Sequence, residues 1–334
     1  TSSDIVTFSY TVNSADSTNR NLTVTTGGNS VHINFDGIVG GSQGLGAIVL
    51  TGVLDLNAAI ADANSLTVSG STSLDADVTT SGTQTYTSVS LGTGARTLEG
   101  STIQTITIDG SQNLTITGNL DSNGNIGSNT PIGVFEVSGT SNFAANVLTS
   151  GTQTYSGAVT LGANIVFTSS NDNFTFSSTV DSDDTTRNLT LNAGSGTIGI
   201  SNAVGGGEAI GTLTITQSGG VTFSGNINAA IVTLTDTSNS VTFAGNTVLT
   251  TLNTASQDYN VVFTGSTNTI TNAVTFSNTG FVTFGNASGD SSTFNGGLTT
   301  TAPSQVNVGG TLQTSNDAMS LGDANTAIVL VANS

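Results

Sequence analysis

Basic and thiol side chains, which act as bases, nucleophiles and metal ligands, are scarce in this sequence of 334 residues. It contains one histidine and no cysteine, so disulfides, thiolate catalysis and thiolate metal sites are excluded. Its basic side chains are Arg20, Arg96 and Arg187. The histidine, His32, lies in the segment NSVHINF, where period-2 alternation turns Val31 and Ile33 inward and His32 outward. We therefore interpret His32 as a solvated strand residue.

Carboxylates are the most numerous ionisable groups, because 21 acidic residues stand against three arginines. The densest acidic cluster consists of Asp181, Asp183 and Asp184, with a weaker relative at Asp16. Such a cluster is typical of a Ca²⁺ ligand set or of a solvated loop. Residues 121–127, DSNGNIG, have the spacing that opens a calcium-binding loop, but Ile126 replaces its glycine and Ile132 its bidentate glutamate. We therefore assign no catalytic, cofactor-binding or metal-binding residue.

The charge balance excludes several classes of partner. Charged residues make up 7% of the chain and the formal net charge is −18. A surface that neutralises nucleic-acid phosphates, or a polybasic segment that binds a membrane, needs many more basic side chains. The longest apolar run, AIVLVA at 327–332, is far shorter than the roughly 20 residues that span a bilayer. We therefore expect neither a nucleic-acid partner nor a membrane span.

Internal repetition is the strongest pattern, and it is most regular over residues 212–286. The series VTFSGN, VTFAGN, VVFTG and VTFGN spaces four phenylalanines by 20, 20 and 21 residues: Phe223, Phe243, Phe263 and Phe284. A second series, TLT, TLT and TLN, spaces three leucines by 21 and 18 residues: Leu213, Leu234 and Leu252. Because the two series alternate, each period of about 20 residues holds at least two short strands.

These repeats predict an all-β fold, a right-handed parallel β-helix, or β-solenoid. Within VTF, alternation sends Val and Phe to one face and Thr to the other. The Gly-Asn pairs that follow suit turns, because both residue types tolerate positive φ. We expect phenylalanine to stack on phenylalanine and leucine on leucine, in an elongated rod of about 17 coils and roughly 80 Å. Parallel crossovers are overwhelmingly right-handed.

A longer duplication relates residues 4–51 to residues 172–216. DIVTFSYTVNSADSTNRNLTV at 4–24 matches DNFTFSSTVDSDDTTRNLTL at 172–191. Arg20 and Arg187 hold equivalent positions, and we interpret them as a repeated turn or ion-pair feature. Because the chain opens inside a repeat unit, we expect either further repeats upstream or a neighbouring subunit that completes the coil. We expect residues 1–334 to form a single continuous solenoid.

Shorter motifs also favour structural roles. TSGTQTY at 80–86 and 149–155, with the echo TASQDY at 254–259, predicts structural corners at three tyrosines: Tyr86, Tyr155 and Tyr259. Five sequons, most of which need no functional explanation in so Asn-rich a chain, begin at Asn21, Asn113, Asn173, Asn188 and Asn286. Asn226 and Asn246, one period apart, predict an asparagine ladder along one turn.

Several units resemble the repeat regions of large bacterial surface proteins, the filamentous-haemagglutinin-like adhesins and autotransporter passengers. They are TSGTQTYSGAVTLG (149–162), RNLTLNAGSGTIGI (187–200), AVGGGEAIGTLTIT (203–216) and the VTFxG series. The resemblance covers most of the chain in composition and repeat style. It implies a right-handed β-helix, export to the cell surface, and adhesive or structural work.

We therefore expect a non-enzymatic, extracellular protein of the cell surface, either an adhesin shaft or a self-assembling subunit of a filament, sheath or surface layer. Expected partners are further copies joined end to end, a surface glycan or receptor, and Ca²⁺ that bridges carboxylates. One alternative is an ice- or carbohydrate-binding module, for which T-x-T triplets such as Thr212–Thr214 would form a flat face. A polysaccharide-cleaving enzyme is the second alternative, disfavoured because it needs convergent carboxylates with basic partners.

Overall fold

The computed structural model describes residues 5–28 and 30–333, and all the regular structure in these residues is β. Contacts divide the chain into two units, one ending at Gly157 and one beginning at Ala158. The strands of the first unit are β1 (Val6–Phe8), β2 (Arg20–Thr25), β3 (His32–Phe35), β4 (Leu45–Thr51), β5 (Val53–Leu56), β6 (Ile60–Leu74), β7 (Val78–Thr80), β8 (Gln84–Leu91), β9 (Arg96–Asp109), β10 (Leu114–Ser122), β11 (Phe135–Val137), β12 (Ser141–Phe143), β13 (Val147–Leu148) and β14 (Gln153–Tyr155).

The second unit continues the same pattern of short strands. They are β15 (Val159–Leu161), β16 (Ile165–Thr168), β17 (Phe174–Phe176), β18 (Val180–Ser182), β19 (Arg187–Asn192), β20 (Ile198–Ile200), β21 (Ile210–Ser218), β22 (Val221–Phe223), β23 (Ile227–Thr237), β24 (Ser240–Phe243), β25 (Thr247–Thr254), β26 (Asn260–Phe263), β27 (Thr267–Ile270), β28 (Val274–Thr275), β29 (Phe281–Phe284), β30 (Ser291–Phe294), β31 (Leu298–Thr300), β32 (Gln305–Val308), β33 (Thr311–Gln313), β34 (Met319–Leu321) and β35 (Ala327–Leu330). The expectation of a single domain over residues 1–334 stays a prediction.

The strands form a parallel β-solenoid of about 15 turns with roughly 20 residues per turn, which confirms the predicted fold. In the turn that opens at β22, three segments each pair in parallel with the next turn: 221–223, 227–229 and 231–234. The turns are fewer than the 17 expected because some are long. Phe8 stacks on Phe35, 27 residues later, whereas Leu56 stacks on Leu74, only 18 residues later.

The phenylalanine series forms the predicted column in the core. Phe223, Phe243, Phe263 and Phe284 lie in register on successive turns. Their ring centroids are 5.3, 4.8 and 6.2 Å apart, with interplanar angles of 10 to 19°. All four side chains are buried, and Thr222 faces solvent between buried Val221 and Phe223. Period-2 alternation therefore assigns the two faces of these strands correctly.

The predicted leucine column is wrong in its register. Leu213 stacks on Val232, which stacks on Leu252, whereas Leu234 stacks on Ile215. A shift of two residues leaves every apolar side chain facing the core, because alternation in a strand has a period of two. The sequence pattern therefore could not distinguish the true register from one displaced by two residues.

The glycines that follow the VTF strands lie at turns. Positive φ, the predicted reason for them, is found at Gly285 (φ 75°) but not at Gly225, Gly245 or Gly265. A Cβ on Gly245 would lie 2.2 Å from the carbonyl oxygen of Gly225, and one on Gly265 would lie 2.1 Å from that of Gly245. Glycine is required at these corners because successive turns approach too closely for any side chain.

Candidate functional surfaces

A ladder of asparagine and aspartate side chains joins the turns at their corners. The carboxamide oxygen of Asn226 accepts a hydrogen bond from the backbone N–H of Asn246, at 2.9 Å. That of Asn246 accepts from the N–H of Thr267 and from the hydroxyl of Ser266, both at 3.0 Å. The ladder predicted for Asn226 and Asn246 is therefore present, and it works by capping the backbone of the next turn.

The same contact recurs along both units. Other pairs in which a side-chain oxygen accepts from a backbone N–H on the following turn include Asn13–Ser42, Asn21–Ala47, Asp75–Thr93, Asp77–Thr97, Asp109–Asn129, Asn113–Val134, Asn119–Thr140, Asn125–Asn146, Asn164–Asn188, Asn171–Ser195, Asn173–Thr197, Asp181–Gly207, Asn188–Thr212 and Asn260–Phe281. In all of them the acceptor lies on the earlier turn. These caps satisfy N–H groups at corners, where the backbone ladder is interrupted.

The duplicated segments form the same Asp–Arg ion pair twice, as predicted for Arg20 and Arg187. Arg20 contacts Asp16 at 2.9 Å, and Arg187 forms a two-point contact with Asp183 at 2.9 and 2.7 Å. Hydrogen bonds from the backbone N–H of Thr18 and from Arg20 lower the pKa of Asp16. The side-chain hydrogen bond with Arg187 lowers the pKa of Asp183 and raises that of the arginine. Both ion pairs are solvent-accessible, so they organise their loops and stabilise the fold only slightly.

A buried serine beside each ion pair accepts a hydrogen bond from the backbone N–H of the arginine. These serines were not identified from the sequence. The hydroxyl of Ser14 accepts from the N–H of Arg20 and donates to the carbonyl of Gly44. The hydroxyl of Ser182 accepts from the N–H of Arg187 and donates to the carbonyl of Ala209. Both serines are buried. The signal was available, because each serine precedes its arginine by five or six residues in the duplicated segments.

The Q-x-Y motifs form buried polar corners. The hydroxyl of Tyr86 donates to Gln84 at 2.8 Å, and that of Tyr155 donates to Gln153 at 2.9 Å. The amide nitrogen of Gln84 donates to the carbonyl of Glu99 on the next turn, at 2.7 Å. Burial raises the pKa of both tyrosines well above the ordinary value. Since these rings are at most 2% exposed, they are structural corners, as the repeats predicted.

Tyr259, in the TASQDY echo, is buried in a different network. Its hydroxyl accepts from the N–H of Ala255 at 3.0 Å and lies 3.4 Å from the carbonyl of Leu234, to which it donates. Burial raises its pKa to about 12. The third tyrosine therefore also serves the fold, but it bonds to the backbone of its own corner and of the preceding turn.

The remaining candidate residues for acid–base chemistry also make structural contacts. His32 faces solvent above buried Ile33, as alternation predicted, and its Nδ1 contacts the carboxylate of Asp55. The guanidinium of Arg96 donates to backbone carbonyls, including those of Leu74 and Ala95. The structure thus brings His32 to one carboxylate and leaves the three arginines in separate contacts.

The side chains that resembled calcium ligands in the sequence make contacts within the protein instead. Asp181 caps the N–H of Gly207 and Asp183 holds Arg187. Ile126 and Ile132, which stand at ligand-loop positions in the sequence, are fully buried in the core. No group of three or more His, Cys, Asp or Glu side chains able to hold a metal ion occurs in residues 5–28 and 30–333.

The threonine triplets do not align into an extended face. Thr190, Thr214 and Thr233 stack in one outward row, but Asn253 continues it. In the adjacent row Thr212 pairs with Ile231. The rows change composition within a few turns, so a regular lattice of paired threonines is limited to short stretches of this surface.

Several apolar side chains of the described residues are exposed, among them Tyr10 and Ile106, and two further groups bear on function. On the side of the second unit, Val248 is 54% exposed in a shallow groove shared with Asn226, Asn228 and Asn246. In β35, Ile328 and Leu330 lie in register with buried Val306 and Val308, yet they are 46% and 68% exposed. A helix long and apolar enough to cross a bilayer is not found among the described residues.

Neither a family model, nor a curated protein, nor a solved structure matches this chain. The resemblance to bacterial adhesin repeats therefore stays a prediction that rests on the quoted repeat units.

Proposed function

We propose that this chain is a non-enzymatic structural or adhesive element of the cell surface, either an adhesin shaft or a self-assembling subunit of an extracellular filament, sheath or surface layer. The observation that carries the proposal is the continuous attachment of each turn to the next. Parallel backbone ladders, the stacked core and the Asn and Asp caps all act between neighbouring turns. A scaffold of this kind gains length by adding turns and needs no other partner to hold them together.

The outward chemistry supports work outside the cell. Threonine and asparagine dominate the outward rows of the second unit, as in Thr214, Thr233 and Asn253. Hydroxyl and amide groups keep such a surface hydrated without charges that salt would screen. The few basic side chains make local contacts, such as the ion pair of Arg187 with Asp183. These uncharged rows are therefore insensitive to salt, although the chain as a whole carries a net charge of −18.

β35 supports a further coil stacked on the described one. Its inward side chains, Ile328 and Leu330, would become buried if another parallel strand paired with it. That strand would come from a second copy of the chain in a polymer, or from the next repeat in a longer adhesin shaft. The two forms of the proposal differ in which of these sources supplies the coil.

Electron microscopy of the purified chain at micromolar concentration distinguishes the two forms. Fibres or sheets would identify a self-assembling subunit, and isolated particles would identify a shaft segment. In the first case Leu330→Lys should abolish the fibres, because it places a charge in the stacking face. Val248→Lys is the matched control, since Val248 is similarly exposed but lies on a side face. Equal assembly of both variants would contradict stacking through β35.

The net charge of −18 motivates a role for divalent cations between copies. Carboxylates on neighbouring copies repel one another unless cations bridge them. We expect Ca²⁺ to promote lateral association of fibres, and chelation to reverse it. Assembly that is the same with and without Ca²⁺ would remove cation bridging from the proposal and leave the end-to-end contact intact.

A second candidate function, binding of a neutral carbohydrate, is favoured by the groove at Val248. Three amides, those of Asn226, Asn228 and Asn246, border an aliphatic floor, and amides of this kind donate to sugar hydroxyls. Titration of the chain against neutral and acidic oligosaccharides tests this function. Binding that persists in Val248→Lys would place the carbohydrate elsewhere.

A further inference from the structure

The five sequons of this chain are alike in sequence but differ in their structural setting. A sequon can accept a glycan on the Asn side-chain nitrogen only where the tripeptide is accessible to a transferase. In a folded chain that requires an exposed segment, or one that detaches from its surroundings at little cost. The settings of the five asparagines therefore decide which of them can be modified after folding.

Four of the sequons have an asparagine side chain that is hydrogen-bonded to the next turn, and we call these the locked sequons. The side-chain oxygens of Asn21, Asn113, Asn173 and Asn188 each accept from a backbone N–H on the next turn, at 2.8 to 2.9 Å. The middle residue of three of these tripeptides is a core side chain: Leu114, Phe174 and Leu189 are at most 1% exposed. Presenting any of these three to an enzyme would pull a strand and a core side chain out of the fold.

The fifth sequon, Asn286-Ala287-Ser288, lies between β29 and β30, and all three of its residues are exposed. The carboxamide of Asn286 makes no hydrogen bond with any residue that the structure describes, in contrast to the four locked asparagines. Gly289, which follows the sequon, has open space around it. The tripeptide thus projects from the side of the second unit.

The loop that carries Asn286 is held by a buried carboxylate and by its own backbone conformation. One carboxylate oxygen of Asp290, a residue only 8% exposed, accepts from the N–H groups of Asn286 and Ala287 at 2.8 and 2.9 Å. At the start of the loop Gly285 has φ of 75°, and a Cβ there would lie 2.2 Å from the carbonyl oxygen of Gly309. The base of the loop is therefore fixed by the backbone, and the side chain of Asn286 takes no part in it.

We propose that Asn286 is an acceptor site for an N-linked glycan, and that it is the sequon modified in the folded chain. The donor is a glycosyl diphosphate, carried either on a polyprenyl lipid or on a nucleotide. In the transfer the bond between Nδ2 and the sugar C1 forms while the bond from C1 to the diphosphate oxygen breaks. The diphosphate leaves with the electron pair, and the amide loses one proton to a base on the transferase.

The glycan on Asn286 would project from the side of the solenoid and leave the stacking of turns undisturbed. Asp290 caps the loop through its carboxylate and the backbone, so substitution on Nδ2 breaks no described contact. This site does not depend on the structural function proposed above, because its modification is measured on single molecules and not on assemblies.

The test compares the folded chain with five synthetic peptides of equal length, each centred on one sequon. One arm uses a membrane oligosaccharyltransferase with a polyprenyl-diphosphate oligosaccharide, and the other a soluble N-glycosyltransferase with UDP-glucose. Peptide mass spectrometry gives the occupancy of each site. We expect the ratio of folded-chain to peptide occupancy to be at least about tenfold higher at Asn286 than at the other sites, which corresponds to about 1.4 kcal/mol of opening free energy at the locked sequons.

Asn286→Gln and Ser288→Ala should each abolish modification at position 286 of the folded chain, because each destroys that sequon. Asn173→Gln is the matched control and should leave the occupancy of Asn286 unchanged. Circular dichroism confirms that each variant folds. Equal ratios at all five sites, or an unmodified Asn286 in a folded chain whose peptide is modified in both arms, would overturn the assignment. Transfer in only one arm would identify the donor class.

Discussion

Replacing Phe243 with alanine removes the middle ring of the phenylalanine column. The ring is fully buried, and it lies 5.3 Å from the ring of Phe223 and 4.8 Å from that of Phe263. Both neighbours are on adjacent turns, so the substitution opens a cavity that the flanking turns cannot fill without shifting their backbone ladders.

The magnitude follows from the buried volume and the ring contacts. A buried Phe→Ala substitution costs about 3–5 kcal/mol of the free energy of unfolding. An aromatic pair contributes about 0.5–1.5 kcal/mol beyond its buried area, and Phe243 takes part in two such pairs. We therefore expect a loss at the upper end, about 5 kcal/mol.

Urea unfolding followed by circular dichroism measures the loss, together with native-state hydrogen exchange at the backbone amides of positions 241 and 243. The exchange measurement is needed because long repeat arrays do not always unfold in a single step. Val262→Thr is the matched control. Val262 faces outward beside the same column, in line with Thr242 and Thr283, so its substitution should change stability by less than about 0.5 kcal/mol.

A double-mutant cycle tests the contact itself. Phe243→Ala combined with Phe263→Ala should show a coupling of about 0.5–1.5 kcal/mol. Phe243→Ala combined with Phe294→Ala, whose ring lies beyond that of Phe284, should be additive within about 0.5 kcal/mol. A loss below about 1 kcal/mol for Phe243→Ala alone, or zero coupling to Phe263, would refute the stacked column as a source of stability.

Three further predictions concern the polar contacts. Asn246→Ala removes two hydrogen bonds to the next turn, from the N–H of Thr267 and the hydroxyl of Ser266, and should lower the free energy of unfolding by about 1 kcal/mol in urea titrations. Asn228→Ala, whose amide caps nothing in the described chain, should change it by less than about 0.5 kcal/mol. The pKa of buried Tyr259 is raised to about 12, whereas an unfolded tyrosine ionises near pH 10. The neutral side chain should therefore stabilise the fold fully below pH 10 and cease to do so as the pH rises to about 12. If urea unfolding at alkaline pH is the same in Tyr259→Phe as in the wild type, this prediction is wrong. The hydrogen bond with Arg187 lowers the pKa of Asp183. The carboxylate of Asp183 therefore stabilises the fold above the unfolded pKa near 4 and ceases to do so as the pH falls. The small difference in melting temperature between the wild type and Asp183→Asn should vanish near pH 2.

Much of the candidate surface was predictable where the signal was a repeat. The equivalence of Arg20 and Arg187 predicted a shared ion-pair feature, and the spacing of Asn226 and Asn246 predicted a ladder. The serines at 14 and 182 and the glutamines of the Q-x-Y motifs were not assigned, because a buried hydroxyl or amide is identified by the backbone groups that it contacts. Those groups, such as the carbonyls of Gly44 and Glu99, come from other turns.

The sequence by itself determined the class of fold, the length of the period and the face of each VTF strand. These properties are local: alternation decides which side chains turn inward, and the recurrence of phenylalanine every 20 residues measures one turn. The composition, with no cysteine and three basic residues, also excluded thiolate chemistry and a surface that neutralises nucleic-acid phosphates.

Only the tertiary structure decided the register of the leucine series, the reason for the corner glycines and the setting of the sequons. A shift of two residues preserves the inward face, so the pairing of Leu213 with Val232 depends on the length of the corners between them. Gly245 is required by the approach of Gly225 from another turn. Asn286 differs from Asn113 because one lies in an exposed loop and the other caps a neighbouring turn. Each of these facts depends on residues about one period away in the sequence, which are neighbours only after the chain has wound into turns.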